Sequence, residues 1–326
     1  MLRKNYSQIA VTLILLVALI FTYSASCLSA EETRDDNFTK RIDDLLEDLD
    51  EKRVPIYENP DYPIKKVEQK DPEILNILVI GIDARSNKEI ACRADTILVA
   101  TIDYRNPSVR LTSILRDVDA PIQDHGSQKI NGSYAYGGIG LMINTVNEMF
   151  DLDIQHYLML DFYTAKTIID VLDGVKVDLF PVEAEIVGVT DGKDNPDNPE
   201  MKTYALNGDQ ALKYSRIRKI DSDFQRTGRQ RKLIKAAAEK FLSFSRKEQV
   251  LMMNKMIRHV ETDLSVKQIG NLYHKNMKPS EIKQYTVPKD GLYSTNSQNW
   301  KISVDLDRQI PDLHQFIWPE EAKVVE

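Results

Sequence analysis

The chain has 326 residues, 42% hydrophobic and 29% charged, which is enough for one large domain or two smaller ones with a hydrophobic core. It carries 43 Lys and Arg against 50 Asp and Glu, a formal charge of −7, which argues against non-specific binding of nucleic acid by the whole surface. Two cysteines and five scattered histidines provide neither a disulfide framework nor a zinc site of a familiar spacing.

An uncharged, apolar stretch covers residues 8–30, with Arg3 and Lys4 before it and acidic residues directly after it. About 20 apolar residues are enough to cross a bilayer. Positive charge on the amino-terminal side predicts that residues 1–7 form a cytoplasmic tail and that the remainder lies outside the cell. The length of the stretch favours a retained transmembrane anchor.

Two alternatives to an anchor remain. Small residues cluster from Ser24 to Ala30, as they do before the cleavage site of a secretory signal peptide. A lipoprotein modified at Cys27 is less favoured, because the preceding "YSAS" lacks the usual Leu. Each of these alternatives also exports residues 31–326, which carry 41 basic and 50 acidic side chains and a charge of −9.

Residues 31–73 are predicted to form a charged stalk followed by a linker. Ile42, Leu45, Leu46 and Leu49 recur at helical spacing within a highly charged segment. Four prolines then indicate an extended linker that holds the body away from the membrane. A helix that lies on the domain is an equally good alternative to a free stalk.

Strands alternate with helices from residue 74 to residue 242. The predicted strands are 74–83, 95–104, 108–117, 156–162 and 176–180, and the predicted helices are 136–150, 163–175, 207–218 and 226–244. This alternation predicts an α/β fold with a central mixed sheet flanked by helices on both faces. Residues 243–326 contain no motif that can be assigned and are expected to complete the extracellular domain.

Aspartate and arginine occur where three successive strands begin or end. The pairs are Asp83 with Arg85, Arg93 with Asp95, and Arg116 with Asp117. Open α/β sheets bind ligands beyond their strand ends. An isolated Asp after a strand is usually a turn former, but three such sites that each include Arg favour a binding site.

These residue types suit a phosphate ligand. Two carboxylates attract a hard divalent cation such as Mg²⁺, which accepts phosphate oxygens, and Arg binds the same oxygens in a bidentate manner. Lys129 in "KINGSYAYGGIG" precedes a glycine-rich approach to a helix, another place where phosphate could bind. No Walker motif is present in the chain.

The segment from Tyr214 to Lys232 is strongly basic. If "KYSRIRK" is extended, Tyr214, Arg216 and Arg218 share one side. In the helix that follows, Arg226 and Gln230 continue the apolar face and point inward, whereas three other cations point outward as a solvated face: Arg231, Lys232 and Lys235. An inward Arg needs either an anionic ligand or a carboxylate in a structural ion pair.

The motifs "GIDAR", "RADT", "SILRD", "KINGSYAYGG", "HYLMLDF" and "RIRKIDSDFQRTGRQ" occur in this order over residues 74–242. Together they resemble the LytR-CpsA-Psr (LCP) family of cell-envelope proteins. The resemblance implies a single amino-terminal membrane helix in a Gram-positive-type envelope. It also implies a phosphotransferase that moves an anionic glycopolymer, such as wall teichoic acid or capsule, from a polyprenyl-pyrophosphate carrier to peptidoglycan.

The resemblance also assigns residues. It implies Mg²⁺ (or Mn²⁺) at Asp83 and Asp95, one of which is a candidate for the base that deprotonates the acceptor. The positions that would hold the pyrophosphate are Arg85, Arg93, Arg116, Lys129, Arg216, Arg218, Arg226 and Gln230. Asp83, Asp95, Arg116 and Arg218 are expected to be catalytic, and Asp223 and Arg229 belong to the same motif without an assigned role. Ala94 and Leu115 depart from the family pattern without removing a charged side chain.

Two other functions remain as alternatives. One is a transcriptional regulator that binds DNA through the basic segment from Tyr214 to Lys232; the predicted export and the charge of −9 oppose it. The other is a non-catalytic scaffold that binds envelope polymers.

Overall fold

The computed structural model describes residues 36–52, 54–84, 91–105, 108–190, 200–217, 220, 223–256, 259–264, 282–296 and 298–319. The helices are α1 (Asp36–Lys52), α2 (Gly132–Phe150), α3 (Phe162–Val171), α4 (Pro181–Val187), α5 (Gly208–Ser215), α6 (Asp223–Leu242), α7 (Arg246–Met256) and α8 (Leu306–Ile317). The strands are β1 (Ile74–Ile82), β2 (Ala94–Asp103), β3 (Ser108–Ile114), β4 (Asp119–Ile122), β5 (Gly126–Lys129), β6 (His156–Asp161), β7 (Val175–Leu179), β8 (Lys202–Leu206), β9 (Glu261–Thr262), β10 (Ile282–Val287), β11 (Tyr293–Thr295) and β12 (Ile302–Val304). Within these ranges no helix is long and apolar enough to span a bilayer. The predicted anchor at residues 8–30 lies outside them.

The main sheet has six strands in the order β10–β3–β2–β1–β6–β9. β1 pairs antiparallel with β2 and β2 antiparallel with β3, whereas β10 pairs parallel with β3. The sheet is therefore mixed, as predicted. β1 is buried along almost its whole length on both faces, which is why its sequence is a continuous apolar run instead of an alternating pattern.

One predicted strand lies outside this sheet. β7 pairs antiparallel with β8 in a separate two-stranded sheet. Its side chains alternate between buried and exposed, and such alternation is typical of a strand with one solvated face. The remaining small sheets are the hairpins β4–β5 and β11–β12.

The chain forms two compact units, one made of residues 36–54 and 160–264 and the other of residues 55–159 and 282–319. In the first unit α1 packs against α3 and α7, with Ile42, Leu46 and Leu49 buried. Arg41 donates hydrogen bonds of 3.2 Å to the last carbonyls of α3. α1 therefore lies on the body, which is the second of the two alternatives for this segment.

A single carboxylate joins α1 to α3 in this unit. Asp161, which is 2% exposed, accepts a hydrogen bond of 2.6 Å from Thr164 N as the amino-terminal cap of α3. Its other oxygen accepts from Val54 N. The Asp of the "HYLMLDF" motif thus has a structural role.

In the second unit the predicted linker is extended but fixed to α2. Ile139 N donates to Tyr57 O at 2.9 Å, and Lys65 N donates to the Asn144 side chain at 2.9 Å. A Cβ at Gly140 would lie 1.9 Å from Tyr62 O, so only glycine allows the two backbones to approach this closely. The residues after 54 are therefore part of the folded body.

The carboxy-terminal residues also belong to the second unit. β10 extends the main sheet beside β3. Arg110 of β3, 3% exposed, donates to Ile317 O at 3.1 Å and forms an ion pair of 2.8 Å with Asp103. These contacts tie α8 to the sheet.

Candidate active site

The candidate site in the second unit lies at one end of β1, β2 and β3. Because β2 runs antiparallel to both neighbours, its amino end meets the carboxyl ends of β1 and β3, and Ile82 pairs with Ala94. Asp83, Asp95 and Arg116 therefore follow from the register as neighbours at this edge. Asp83 and Asp95 are half-buried, and Arg93 is exposed to solvent.

Ion pairs connect the predicted site residues Asp95, Arg116 and Lys129 through Asp117. Arg116, 8% exposed, donates through Nη1 to Asp95 Oδ1, and its Nε lies 3.8 Å from Asp117 Oδ2. Asp117 Oδ1 in turn accepts from Lys129 Nζ at 2.8 Å. We call Asp95, Arg116, Asp117 and Lys129 the charge network. Asp117 is the acid that bridges Arg116 and Lys129. The sequence pattern indicated no role for it.

Main-chain hydrogen bonds hold the charge network in place. Asn131 N donates to Arg116 O at 3.3 Å, and Asn131 O accepts from Ala94 N at 3.2 Å. The Asn131 side chain is 4% exposed, and its Oδ1 has no hydrogen-bond partner among the residues that the structure describes. A buried amide oxygen without a partner is costly, and such a group in a native structure calls for a functional explanation. Asn131 is therefore a candidate site residue, and no sequence pattern indicated it.

The glycines after Lys129 differ from the expectation of a flexible phosphate loop. Gly137 and Gly138 interrupt α2 with non-helical angles, and Gly138 has φ +67°. A Cβ at Gly138 would lie 2.2 Å from Tyr57 O. These glycines are fixed by close packing of the 57–64 segment instead of remaining free to wrap around an anion.

In the first unit α6 positions part of the basic segment. Arg226 is 2% exposed and Gln230 is half-buried. They share a face with the buried apolar residues of the helix: Leu233, Ala237 and Phe241. The inward direction predicted for Arg226 and Gln230 is confirmed.

A structural ion pair of the kind considered as an alternative occurs at Arg229. Arg229 donates through Nε to Glu183 Oε1 at 2.7 Å and through Nη1 to Ile217 O at 3.1 Å. Both ionised side chains are 5% exposed. Arg229 therefore holds α4 and the segment after α5 against α6. No local sequence signal indicated this role, because Glu183 is 46 residues away.

Lys213, Tyr214 and Ser215 of "KYSRIRK" are helical, so the condition of an extended segment is not met there, and the helix predicted from residue 207 is confirmed. A capping box formed by Asn207 and Gln210 begins α5, and the helix continues to Ser215. Successive helical residues are 100° apart, so Tyr214 is fully buried while Arg216 is exposed. The Arg216 guanidinium lies 4.7 Å from the centre of the Phe162 ring.

The outward face of α6 is less solvated than predicted. Arg231 is half-buried, and burial lowers the pKa of its guanidinium. Lys232 and Lys235 are also half-buried, because the methylene part of a long cationic side chain packs on the protein surface. Two predicted site residues, Arg85 and Arg218, lie outside the described residues.

Comparison with known proteins places these motifs in a family. The sequence model of the LytR_cpsA_psr family matches residues 45–310. The polyisoprenyl-teichoic acid–peptidoglycan teichoic acid transferase TagT of Bacillus subtilis is 32% identical over 189 residues, 56% of this chain and 58% of TagT. The transferase TagU of Bacillus mycoides is 31% identical over 252 residues, 74% of this chain and 78% of TagU. The chain thus spans less than three fifths of TagT.

Solved structures show the same fold. A structure of TagT bound to LIIa-WTA aligns with a TM-score of 0.60 at 24% identity, covering 80% of this chain and 99% of that one. A structure of TagT with bound octaprenyl pyrophosphate lipid aligns with a TM-score of 0.56 at 21% identity, again covering 80% and 99%. With the family model matching most of its length, this chain belongs to the LytR_cpsA_psr family.

Proposed function

We propose that this chain is a membrane-anchored phosphotransferase of the cell envelope. It attaches an anionic glycopolymer, such as wall teichoic acid or a capsular polysaccharide, from a polyprenyl-pyrophosphate carrier to peptidoglycan. The observation that carries the proposal is the charge network at the sheet edge, which places Arg116 between Asp95 and Asp117 and pairs Lys129 with Asp117. The names of the related transferases support the substrate class.

The reaction is a displacement at phosphorus. A hydroxyl oxygen of peptidoglycan forms a bond to the phosphorus next to the glycopolymer, and the bond from that phosphorus to the bridging oxygen breaks. Polyprenyl phosphate leaves with the electron pair, and the hydroxyl proton passes to a base. Asp95 and Asp83 are the candidates for that base.

Positive charge is the main requirement of such a step, because negative charge develops on the bridging and leaving oxygens. Arg116 and Lys129 would bind these oxygens in exchange for part of their contacts with Asp95 and Asp117. Arg93 is exposed beside them and can reach an entering substrate. The carboxylates keep the cations oriented before the substrate arrives.

We also propose that Asp83 and Asp95 hold Mg²⁺ or Mn²⁺. Mg²⁺ is commonly bound through one or two carboxylates and completes its coordination with water and phosphate oxygens. Oδ1 of Asn131, which has no hydrogen-bond partner within the described part of the chain, adds a neutral oxygen near the same edge. The ion would neutralise charge on the phosphates.

From the family resemblance we also propose that the pyrophosphate is bound by Arg85, Arg216, Arg218, Arg226 and Gln230. We further propose one membrane-spanning helix at residues 8–30, with residues 1–7 in the cytoplasm and the catalytic body outside. An anchor would keep the enzyme beside a donor that is itself bound to the membrane.

The test replaces Arg116 with Ala and measures transfer from a polyprenyl-pyrophosphate-linked donor to peptidoglycan oligomers. We expect transfer to fall about 10²–10³-fold, since one charge-stabilising group is lost. The matched control is Arg105→Ala, which removes an ion pair of 2.7 Å with Asp71 elsewhere in the same unit and should leave transfer unchanged. A folded Arg116→Ala protein with full transfer would remove Arg116 from the catalytic machinery, and an unsubstituted chain without transfer would favour a scaffold over an enzyme.

A further inference from the structure

Three aromatic rings in the second unit form a cluster that the proposed reaction does not use. His125 and Tyr136 are stacked, with ring centres 4.4 Å apart and planes inclined by 14°. Tyr62 joins them with its ring centre 6.3 Å from that of His125. Tyr136 keeps 37% of its surface exposed, although His125 covers part of it. We call Tyr62, His125 and Tyr136 the aromatic platform.

Two glycines of the "NGSYAYGG" motif make room for these rings. A Cβ at Gly137 would lie 2.6 Å from Cδ2 of the Tyr62 ring, and a Cβ at Gly132 would lie 3.0 Å from Cε2 of the Tyr136 ring. Ordinary side chains at these positions would displace the rings. The backbone therefore fixes the platform at the surface, where a stacked His–Tyr pair contributes little to the core.

Polar side chains surround the platform. Asp61, Gln123 and Asp124 are all exposed. Burial and then the neighbouring Asp124 carboxylate raise the pKa of the Tyr62 hydroxyl. The surroundings of the rings are thus rich in hydrogen-bond acceptors and negatively charged.

The platform is connected to the candidate active site by one short strand. His125 lies in the turn of the β4–β5 hairpin, and β5 ends at Lys129 of the charge network. The four residue steps from His125 to Lys129 cover on the order of 13 Å. A chain of sugars that reacts near Lys129 could therefore contact the rings.

We propose that the aromatic platform binds a pyranose ring of the neutral glycan acceptor. The C–H groups on one face of a pyranose stack on an aromatic ring, whose face is electron-rich, and the hydroxyl groups at the edge donate to carboxylates. Asp61 and Asp124 disfavour the anionic glycopolymer, because like charges repel. This inference rests on the proposed function, since it assigns the acceptor subsite of that reaction.

The test measures binding of chitotetraose, a neutral β-1,4-linked tetramer of N-acetylglucosamine, to the full chain in detergent by saturation-transfer NMR and calorimetry. Tyr136→Ala should weaken binding about tenfold, which corresponds to about 1.4 kcal/mol. Tyr136→Phe keeps the ring and should bind within about threefold of the unsubstituted chain. Trp300→Ala, which removes an aromatic side chain that is 73% exposed elsewhere in the same unit, should change nothing.

Three results would overturn the platform: no chitotetraose binding, equal binding by Tyr136→Ala, or tighter Tyr136-dependent binding of a glycerol-phosphate oligomer than of chitotetraose. The Arg116→Ala protein separates this inference from the proposed function. It should lose transfer and keep chitotetraose binding. Transfer without Tyr136-dependent binding rejects the platform alone, whereas Tyr136-dependent binding without transfer by the unsubstituted chain rejects the proposed function alone.

Discussion

The buried ion pair between Arg229 and Glu183 offers a sharp test of how the first unit is held together. Its nitrogen and oxygen are 2.7 Å apart, and both side chains are 5% exposed. Glu183 also accepts a hydrogen bond of 2.9 Å from Phe180 N at the start of α4. The pair therefore joins α4 to α6 in surroundings where water cannot replace a lost partner.

Replacing Arg229 with Met leaves the Glu183 carboxylate buried without its cation. Breaking one side of a buried pair typically costs about 3–5 kcal/mol, so we expect the free energy of unfolding to fall by that amount. The double variant Arg229→Met with Glu183→Met removes both charges. Because apolar pairs of similar volume often replace buried ion pairs without loss, it should be more stable than Arg229→Met alone.

The measurement is urea denaturation followed by far-UV circular dichroism, together with hydrogen exchange of peptides from α6. Tryptophan fluorescence alone would miss the effect, because Trp300 and Trp318 both lie in the other unit. Lys235→Met is the control on the same helix. Its ion pair with Glu239 is 3.6 Å long, and the Glu239 side chain is exposed; ion pairs between helical residues four apart at the surface contribute about 0.5 kcal/mol or less.

Additive losses would refute this reasoning. If the double variant lost the sum of the two single effects, the charges would not be coupled. An Arg229→Met loss of less than about 1 kcal/mol would mean that Glu183 is solvated, contrary to its observed burial.

Two further predictions concern the second unit. Gly140→Ala should destabilise it by about 3 kcal/mol or more, since the new Cβ would lie 1.9 Å from Tyr62 O. Gly188→Ala in the first unit is the control. Its Cβ would meet no described atom within 4 Å, and its φ of +81° should cost only about 1–2 kcal/mol. Urea titrations by tryptophan fluorescence and circular dichroism measure the two effects. Burial and then the charge of Glu73 raise the pKa of Tyr104 to about 12 from 10.0. The folded state then holds the Tyr104 proton more tightly than the unfolded state. The stability that this proton contributes is fully present below pH 10 and is lost as pH rises toward 12. Tyr104→Phe should flatten the dependence of the free energy of unfolding on pH over this range, and an unchanged slope would contradict the prediction.

The predictable parts of the site depended on local patterns. The ends of β1 and β3 and the start of β2 are marked by a change from apolar to charged residues, which was sufficient to predict that Asp83, Asp95 and Arg116 lie at strand ends. Partners across the chain were not predictable in this way. The pairing of Arg116 with Asp95, 21 residues away, depends on the register of antiparallel strands.

The sequence by itself determined the order of strands β1–β3, β6 and β7 and of helices α2, α3, α5 and α6, the buried face of α6 and the family, because periodicity and motif order are properties of the chain read locally. Only the tertiary structure decided that Arg229 forms a buried ion pair with Glu183, that α1 lies on the body, and that Arg216 packs against the Phe162 ring. The physical reason is that burial and charge pairing depend on contacts between residues far apart in the chain. Those contacts override the local preference that a short segment shows alone.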